Sequence, residues 1–261
     1  MALVENTLFG ERNKVKIAIE RIKSFEPDGG YYLAFSGGKD SIVLHKLAVM
    51  SGVEFQGYFN VTTLDPPELI YFVRKHYPHI QFNLPQKALL HRMVEKGIPP
   101  LRRVRWCCEE YKERFGNGSI LTGIRRAESF KRSGRKMVEP CLKHKTRTYI
   151  NPIVDWEDED IWQFIYEKQM VYCSLYDEGF DRLGCIMCPL TTIEKRIKEA
   201  NRYPRYVGAF KRAFRKMYDN RKKAGKFMFR NTGESGDDWF NWWLYESHQC
   251  PEHPDQLTIF E

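Results

Sequence analysis

Tyr31-Tyr32-Leu33-Ala34-Phe35-Ser36-Gly37-Gly38-Lys39-Asp40-Ser41-Ile42-Val43-Leu44-His45-Lys46-Leu47 decides the fold. An apolar run of strand length ends in a Ser-Gly-Gly-Lys-Asp-Ser turn, and an apolar pattern of helical period follows. A strand feeding a glycine turn that opens a helix gathers unpaired backbone N–H groups and the positive helix end at one point, which is an anion site. Gly37 and Gly38 are expected to permit positive φ and to let the backbone approach a phosphate closely. Ser36 and Ser41 add hydroxyl donors, and Lys39 adds a cation. Asp40 is read as a metal ligand or as a group that orients the loop, with simple helix capping as the bland alternative. The turn is not the P-loop, whose spacing between its first glycine and its Gly-Lys-Ser/Thr is longer.

Outward from this stretch, strands and helices alternate. A helix is predicted over 6–25, with Val15, Ile17, Ile19 and Ile22 on its apolar face. Strands are predicted over Val53 to Val61, His79 to Asn83 and Ser119 to Gly123. Helices are predicted entering at Pro66-Pro67 and over 86–97. Such alternation implies an α/β fold, a parallel twisted sheet flanked by helices, with right-handed crossovers. Ligands in such sheets lie at the carboxyl ends of the strands, where Ser36, Thr62 and Gly123 fall. Arg125 and Arg126 follow a strand end and are candidates to fork onto phosphate or sulfate oxygens. From Pro140 to Asp155 the pattern is irregular and strand-like. Glu157-Asp158-Glu159-Asp160 opens the next helix, where acidic residues suit the positive helix end and need no catalytic reading.

The length suits one large α/β domain with a smaller appendage, here set at 1–190 and 191–261. No apolar run reaches membrane-spanning length and the first residues lack a signal-peptide pattern, so a soluble cytoplasmic chain without membrane contact is expected. The net charge of +8 is unevenly spread. Residues 191–230 hold 14 Lys/Arg against 3 Asp/Glu, whereas 231–261 hold 7 Asp/Glu and no Lys/Arg. The basic segment interleaves Tyr203, Tyr206, Phe210, Phe214, Tyr218, Phe227 and Phe229 with its charges. That pattern suits nucleic-acid backbone contact with aromatic stacking, or an amphipathic helix whose aromatics are core. Trp239, Phe240, Trp242 and Trp243 are expected to pack the C-terminal helix, or to offer a docking face to a partner such as a cysteine desulfurase.

Seven cysteines, in a chain read as cytoplasmic, argue for metal or reactive thiols rather than a disulfide framework. Cys107-Cys108 and Cys185-Ile186-Met187-Cys188 are the candidate ligands. Adjacent cysteines serve one tetrahedral zinc awkwardly but reach two irons of a cubane, so a 4Fe–4S cluster is favoured over structural zinc and over unligated thiols. Arg102, Arg103, Arg105 and Arg182 are expected to offset its charge. Cys173, in an apolar run, reads as a buried small hydrophobe.

These blocks together resemble the phosphoadenosine phosphosulfate reductase family, within the adenine nucleotide α-hydrolase-like, Rossmann-like fold. The resemblance runs from about Tyr31 to Thr192. It rests on Ser36 to Ser41, which looks like the PP-loop of ATP pyrophosphatases, and on Thr62-Thr63-Leu64-Asp65-Pro66-Pro67-Glu68. It continues through Thr122 to Ser129, Asn151 to Trp156, and Leu175-Tyr176-Asp177-Glu178-Gly179-Phe180 before Gly184 to Pro189. The double-cysteine pattern is similar to that of the family's iron–sulfur branch. The resemblance implies ATP with Mg²⁺ on the loop and adenylation of a substrate for sulfur transfer, with DNA phosphorothioation or tRNA thiolation as the processes. Two departures from the reductases are present. Gln249-Cys250-Pro251-Glu252-His253 lacks the Glu and Gly of their catalytic Glu-Cys-Gly-Leu-His, and the loop keeps the full pyrophosphatase motif that reductases usually degrade. Adenylylsulfate or phosphoadenylylsulfate reduction, and a non-enzymatic nucleotide- and cluster-binding regulator, are the alternatives.

Overall fold

The computed structural model describes residues 3–7, 10–226 and 233–246. In chain order the elements are β1 (Val4–Thr7), β2 (Gly10–Asn13), α1 (Lys14–Ser24), β3 (Tyr31–Ala34), α2 (Lys39–Ser51), β4 (Phe55–Asn60), α3 (Pro67–His76) and β5 (Gln81–Asn83). There follow α4 (Leu89–Lys96), α5 (Trp106–Tyr111), β6 (Gly118–Leu121), β7 (Val138–Pro140), β8 (Arg147–Ile150) and α6 (Asp158–Glu167). The last are α7 (Ile193–Arg202), α8 (Pro204–Lys223) and α9 (Gly236–Asn241), which runs into a π-helical turn over Trp242–Glu246. No helix among the described residues is long and apolar enough to cross a membrane.

The chain forms two compact units. The first comprises 1–61, 65–84 and 111–184. Its sheet has the order β5-β4-β3-β6-β8-β7, parallel except for the antiparallel pairing of β7 with β8. Both edges are blunt: β5 has three residues, and β7 ends on Pro140, which lacks a ladder donor. The chain steps outward from β3 through β4 to β5 and then returns to the other side of β3 as β6. The crevice at the carboxyl ends of β3 and β6 is therefore a topological switch point. Helix α2 lies deep in the core, with Ile42, Val43, Leu44, Leu47 and Ala48 all inaccessible, and Gly52 stops it in the left-handed conformation at φ 75°.

A β1–β2 hairpin occupies the start of the segment expected to be helix, and α1 begins only at Lys14. Asn13 caps it, its Oδ1 accepting from Lys16 N at 3.0 Å. The buried stripe is Lys14, Ala18 and Ile22, flanked by Val15 and Ile19. Lys14 is buried because its ammonium reaches Asp160 at 2.7 Å and Glu5 at 2.9 Å.

The second unit comprises 62–64, 85–110 and 185–261, a different division from the expected boundary at 190. The cysteines of both candidate pairs belong to it. Segment 97–100 is fastened to the C-terminal helices: Arg221 Nη1 donates to the Gly97 carbonyl at 2.9 Å and Trp243 Nε1 to the Pro100 carbonyl at 2.7 Å. Helix α8 buries Phe210, Ala213, Phe214 and Met217 at helical spacing. Trp239, Phe240 and Trp243 pack there, Trp243 stacked on Phe210 with centroids 5.0 Å apart. Each such ring contributes about 2–3 kcal/mol of burial. Trp239, Phe240 and Trp243 are thus packing residues, and Trp242 is half-buried. Of the aromatics expected to stack on nucleic acid, Tyr203, Phe210 and Phe214 are buried, Tyr206 is half-buried, and half-buried Tyr218 sets its edge on Trp239 at 5.1 Å. Phe227 and Phe229 lie outside the described residues.

Candidate functional site

The loop from Ser36 to Ser41 joins β3 to α2 at the switch point. Gly37 takes φ 71°, and a Cβ there would stand 2.6 Å from Val73 Cγ2 and 2.8 Å from Leu69 Cδ1. Gly38 does not take positive φ as expected. It is the extended N-cap of α2 at φ −78° and ψ 163°, and what it supplies is space: its Cβ would meet the Tyr176 hydroxyl at 3.3 Å. Two serines knit the turn. Ser41 Oγ donates to the Gly38 carbonyl at 2.8 Å, Ser36 Oγ lies 3.2 Å from Ser41 Oγ, and the Gly38 amide donates to Ser36 Oγ at 3.4 Å. The loop is therefore shaped by its own hydrogen bonds, with Ser36 exposed to solvent.

Behind the loop sits a charge network. Arg125, fully buried, donates Nε to Asp40 Oδ1 at 2.6 Å, Nη1 to the Trp156 carbonyl at 3.2 Å, and Nη2 to Asp158 Oδ1. Its guanidinium is engaged by these three partners, where the sequence suggested phosphate or sulfate oxygens. Arg126 is exposed and donates Nε to the Arg135 carbonyl at 2.7 Å. Lys39 is 5 % exposed, its ammonium 3.3 Å from the Asp181 carbonyl, 3.7 Å from Asp158 Oδ1 and 3.9 Å from Asp40 Oδ2. Two cations thus face two carboxylates. Burial works to raise the Asp158 carboxyl, but Arg125 and Lys39 bring it below the usual range. Asp158 is the residue that sequence reading passed over, because acidic residues at a helix start need no further role; Glu157 and Asp160 form a capping box around it. Gly123 brings the strand end against α2: a Cβ there would lie 3.0 Å from the Asp40 carbonyl oxygen.

One segment after α6 closes on Lys39 from a second side. The Lys39 amide, first in α2, donates to the Tyr176 hydroxyl at 2.8 Å, and the Lys39 ammonium donates to the Asp181 carbonyl. Burial raises the Tyr176 phenol well above its ordinary value, so it keeps its proton.

In the second unit, Cys185 to Cys188 forms a pinned turn. The Ile186 amide donates to the Leu64 carbonyl at 2.8 Å, and the Met187 amide to Glu199 Oε2 at 2.6 Å. Met187 is held at φ 56°, a conformation unusual for a side chain of its size. Burial raises the Glu199 carboxyl. Thr62 belongs to this unit, where its hydroxyl accepts from the Leu64 amide at 3.2 Å and from the Cys185 thiol at 3.4 Å. The Cys107 thiol is pushed up by its hydrogen bond with Cys108, by burial, and by the charges of Cys108, Cys185 and Cys188. Cys107 thus feels the charges of the other three cysteines, and a sulfur-only donor set suits a soft metal centre. Among the described residues, no group of three or more His, Cys, Asp or Glu side chains is arranged to hold a metal ion. The expected arginine neighbourhood differs in part: Arg182 pairs with Glu128 at 3.8 Å in the first unit, and fully buried Arg196 is the guanidinium that registers the charge of Cys188. Cys173 is buried, and Cys250 lies outside the described residues.

Comparison with known proteins follows the same segments. The sequence model of the phosphoadenosine phosphosulfate reductase domain matches residues 30–191. An uncharacterised protein of Methanocaldococcus jannaschii is 32% identical over 182 residues, which cover 66% of this chain and 44% of that protein. An adenosine 5'-phosphosulfate reductase of Staphylococcus epidermidis is 26% identical over 69% of this chain and 78% of its own. A probable FAD synthase of Schizosaccharomyces pombe is 26% identical, covering 68% of each chain. The chain spans less than half the length of the archaeal relative.

Proposed function

The chain belongs to the phosphoadenosine phosphosulfate reductase domain family, and from that membership we propose a PP-loop enzyme that adenylates a nucleic-acid substrate for sulfur transfer, either DNA phosphorothioation or tRNA thiolation. The carrying observation is the complete Ser36–Ser41 loop, already folded with Gly37 at positive φ and capping a helix at the switch point. A relative named as a probable FAD synthase adds support for ATP as the substrate.

In this reading the triphosphate lies with its pyrophosphate against the loop, and Mg²⁺ arrives with it as part of the substrate. An acceptor oxygen attacks the α-phosphorus. The bond from that phosphorus to the bridging oxygen breaks, and pyrophosphate leaves against Ser36, Ser41 and the backbone of Gly37 and Gly38. Lys39 turns from the surrounding carboxylates toward the departing charge. Arg125 touches no reacting atom; it positions Asp40 and Asp158, and so the first turn of α2. The terminal sulfur of a persulfide, from a donor such as a cysteine desulfurase, then displaces AMP, which carries away the acceptor oxygen. A thiol reductant supplies the two electrons that cleave the resulting S–S bond and leave the sulfur on the acceptor.

Cys107, Cys108, Cys185 and Cys188 would hold a 4Fe–4S cluster. Such a cluster supplies a sulfur- or electron-handling centre when bound. Exposed Lys198, Arg202, Arg205, Arg212, Lys216 and Lys222 on α7 and α8 suit contact with phosphates of a nucleic acid. Because Tyr203, Phe210 and Phe214 are buried, the contact is mainly electrostatic, with half-buried Tyr206 and Tyr218 the aromatics left near the surface.

The adenosine 5'-phosphosulfate reductase relative favours a second reading, sulfonucleotide reduction with Cys250 as nucleophile. Parallel ATP–pyrophosphate exchange and sulfite-release assays on anaerobically purified protein separate the two. Exchange without sulfite release is expected; sulfite release from adenylyl sulfate without exchange overturns the adenylation reading.

A further inference from the structure

Tyr176 stands at the mouth of the loop with half of its hydrogen-bonding capacity in use. Its oxygen accepts the Lys39 amide at 2.8 Å. Among the described residues, no protein acceptor for its O–H accompanies that bond. The ring is held in place independently, edge-on to Trp162 at 5.3 Å and to Tyr172 at 6.3 Å. The residue as a whole is only partly buried, although burial dominates the surroundings of its phenol. Gly38 leaves it room, since the position of a Cβ there falls 3.3 Å from the phenol oxygen. A hydroxyl that already accepts from a helix-end N–H is a better donor for it, because bonds in such a chain polarise one another.

We propose that Tyr176 is a phosphate-binding residue of this site, donating its O–H to a pyrophosphate oxygen while its own oxygen keeps the Lys39 amide. The proposal deepens the adenylation reading and rests on it. It assigns the loop a donor from a segment 137 residues away in sequence, outside the Ser-Gly-Gly-Lys-Asp-Ser turn. It also explains why a tyrosine lies where the N-terminus of α2 would otherwise open to water: the phenol relays the pull of the helix end onto the ligand.

The test is calorimetric titration of the full chain with inorganic pyrophosphate and, separately, with adenosine. Tyr176→Phe keeps the ring packing and removes the donor. Pyrophosphate affinity is expected to fall about tenfold or more, the range for a hydrogen bond to a charged group, while adenosine affinity stays unchanged and the ligand-free melting temperature falls modestly, because the Lys39 amide loses its acceptor. Tyr176→His, which retains an N–H on a ring, is expected to recover part of the loss. Unchanged pyrophosphate affinity in a folded Tyr176→Phe protein overturns the proposal. Tighter binding also overturns it, and marks the hydroxyl as a competitor for the Lys39 amide. Equal losses for pyrophosphate and adenosine overturn it in favour of a structural role. Wild-type protein that binds no pyrophosphate overturns this inference and the adenylation reading together; wild-type binding with an indifferent Tyr176→Phe overturns this inference alone.

Discussion

Arg125 donates its Nε to Asp40 at 2.6 Å, bridging 85 residues of sequence and fastening the loop after β6 to the first turn of α2. The guanidinium is fully buried while both of its carboxylate partners keep some access to solvent. Removing it strands Asp40 beside Gly123 and frees Asp158. Arg125→Leu is therefore expected to lower the unfolding free energy by about 3 kcal/mol, the low end for breaking a buried pair. Arg125→Lys is expected to recover little, because one ammonium cannot serve three separated acceptors. Urea midpoints measure both. A wild-type midpoint in Arg125→Leu contradicts the positioning role.

The two glycines of the loop do different work and should fail differently. Gly37→Ala places a methyl on backbone at φ 71° and drives it into Val73 and Leu69. It is expected to destabilise the first unit by about 1–3 kcal/mol. Gly38→Ala has an allowed φ of −78° and meets only the Tyr176 hydroxyl and Ser36 Oγ. Its melting temperature should stay close to wild type while pyrophosphate affinity drops, because the added methyl displaces the phenol from the Lys39 amide. Thermal melts paired with calorimetry distinguish the two patterns.

His45 predicts an acid limb of stability. Its Nε2 lies 2.7 Å from His79 Nε2, and rings of Phe35, Phe55 and Tyr77 surround it. Burial, with smaller contributions from the His79 and Lys46 charges, lowers it to about 4 from an ordinary 6.5. The unfolded chain therefore binds the extra proton between those values and the native chain does not. Stability is fully present above pH 6.5 and falls as pH drops from there toward 4, at no more than about 1.4 kcal/mol per pH unit. His45→Phe should flatten this limb in melts from pH 7.5 to 4.5. An unchanged limb would assign it to other groups.

Glu199 sets the shape of the Cys185–Cys188 turn through the Met187 amide. Glu199→Gln keeps an oxygen acceptor, whereas Glu199→Leu leaves that buried N–H without one and releases Met187 from φ 56°. Anaerobically purified wild type is expected to be brown, with about four irons per chain. The Gln variant should keep the visible absorption and the Leu variant should lose most of it at a comparable far-ultraviolet circular dichroism spectrum. Stoichiometric zinc without iron in wild type removes the cluster reading. Equal iron in both variants removes the positioning role of Glu199.

Much of the fold was legible in local chemistry. Glycine stops, proline at α3 and apolar periodicity marked β3, α2, β4 and α3 to within a few residues. The β1–β2 hairpin was not legible, because its polar residues gave no alternation and the helical pattern of 15–22 extended over it. The loop itself could be read because its glycines and helix start are contiguous. The groups that orient it could not: Asp158 was explained by capping, and Tyr176 and Asp181 come from a segment with no periodic signal. The aromatic residues of α8 fitted two patterns equally, and only the packing of Phe210 and Phe214 with Trp243 placed those two in the core, with Tyr206 and Tyr218 half-buried. Thr62 fell at a strand end, yet its hydroxyl serves the cysteine turn.

The two enzymatic readings part at Cys250. A sulfonucleotide reductase needs a thiolate to attack sulfur, so replacing that thiol removes the reaction. Adenylation needs only the loop, the metal-bound triphosphate and an acceptor oxygen. Cys250 lies between Gln249 and Pro251 in an acidic stretch of sequence, without the basic neighbours that lower a thiol pKa. Lys39, by contrast, is a buried ammonium held 3.7 Å from Asp158 at the loop. Cys250→Ala is therefore expected to retain most sulfur transfer in cells, and Lys39→Ala to lose it together with ATP–pyrophosphate exchange. Phosphorothioate or thionucleoside content, measured by mass spectrometry of digested DNA and tRNA, gives the readout. Complementation of a sulfate-assimilation mutant by wild type, abolished in Cys250→Ala, would reverse the assignment and make reduction the activity.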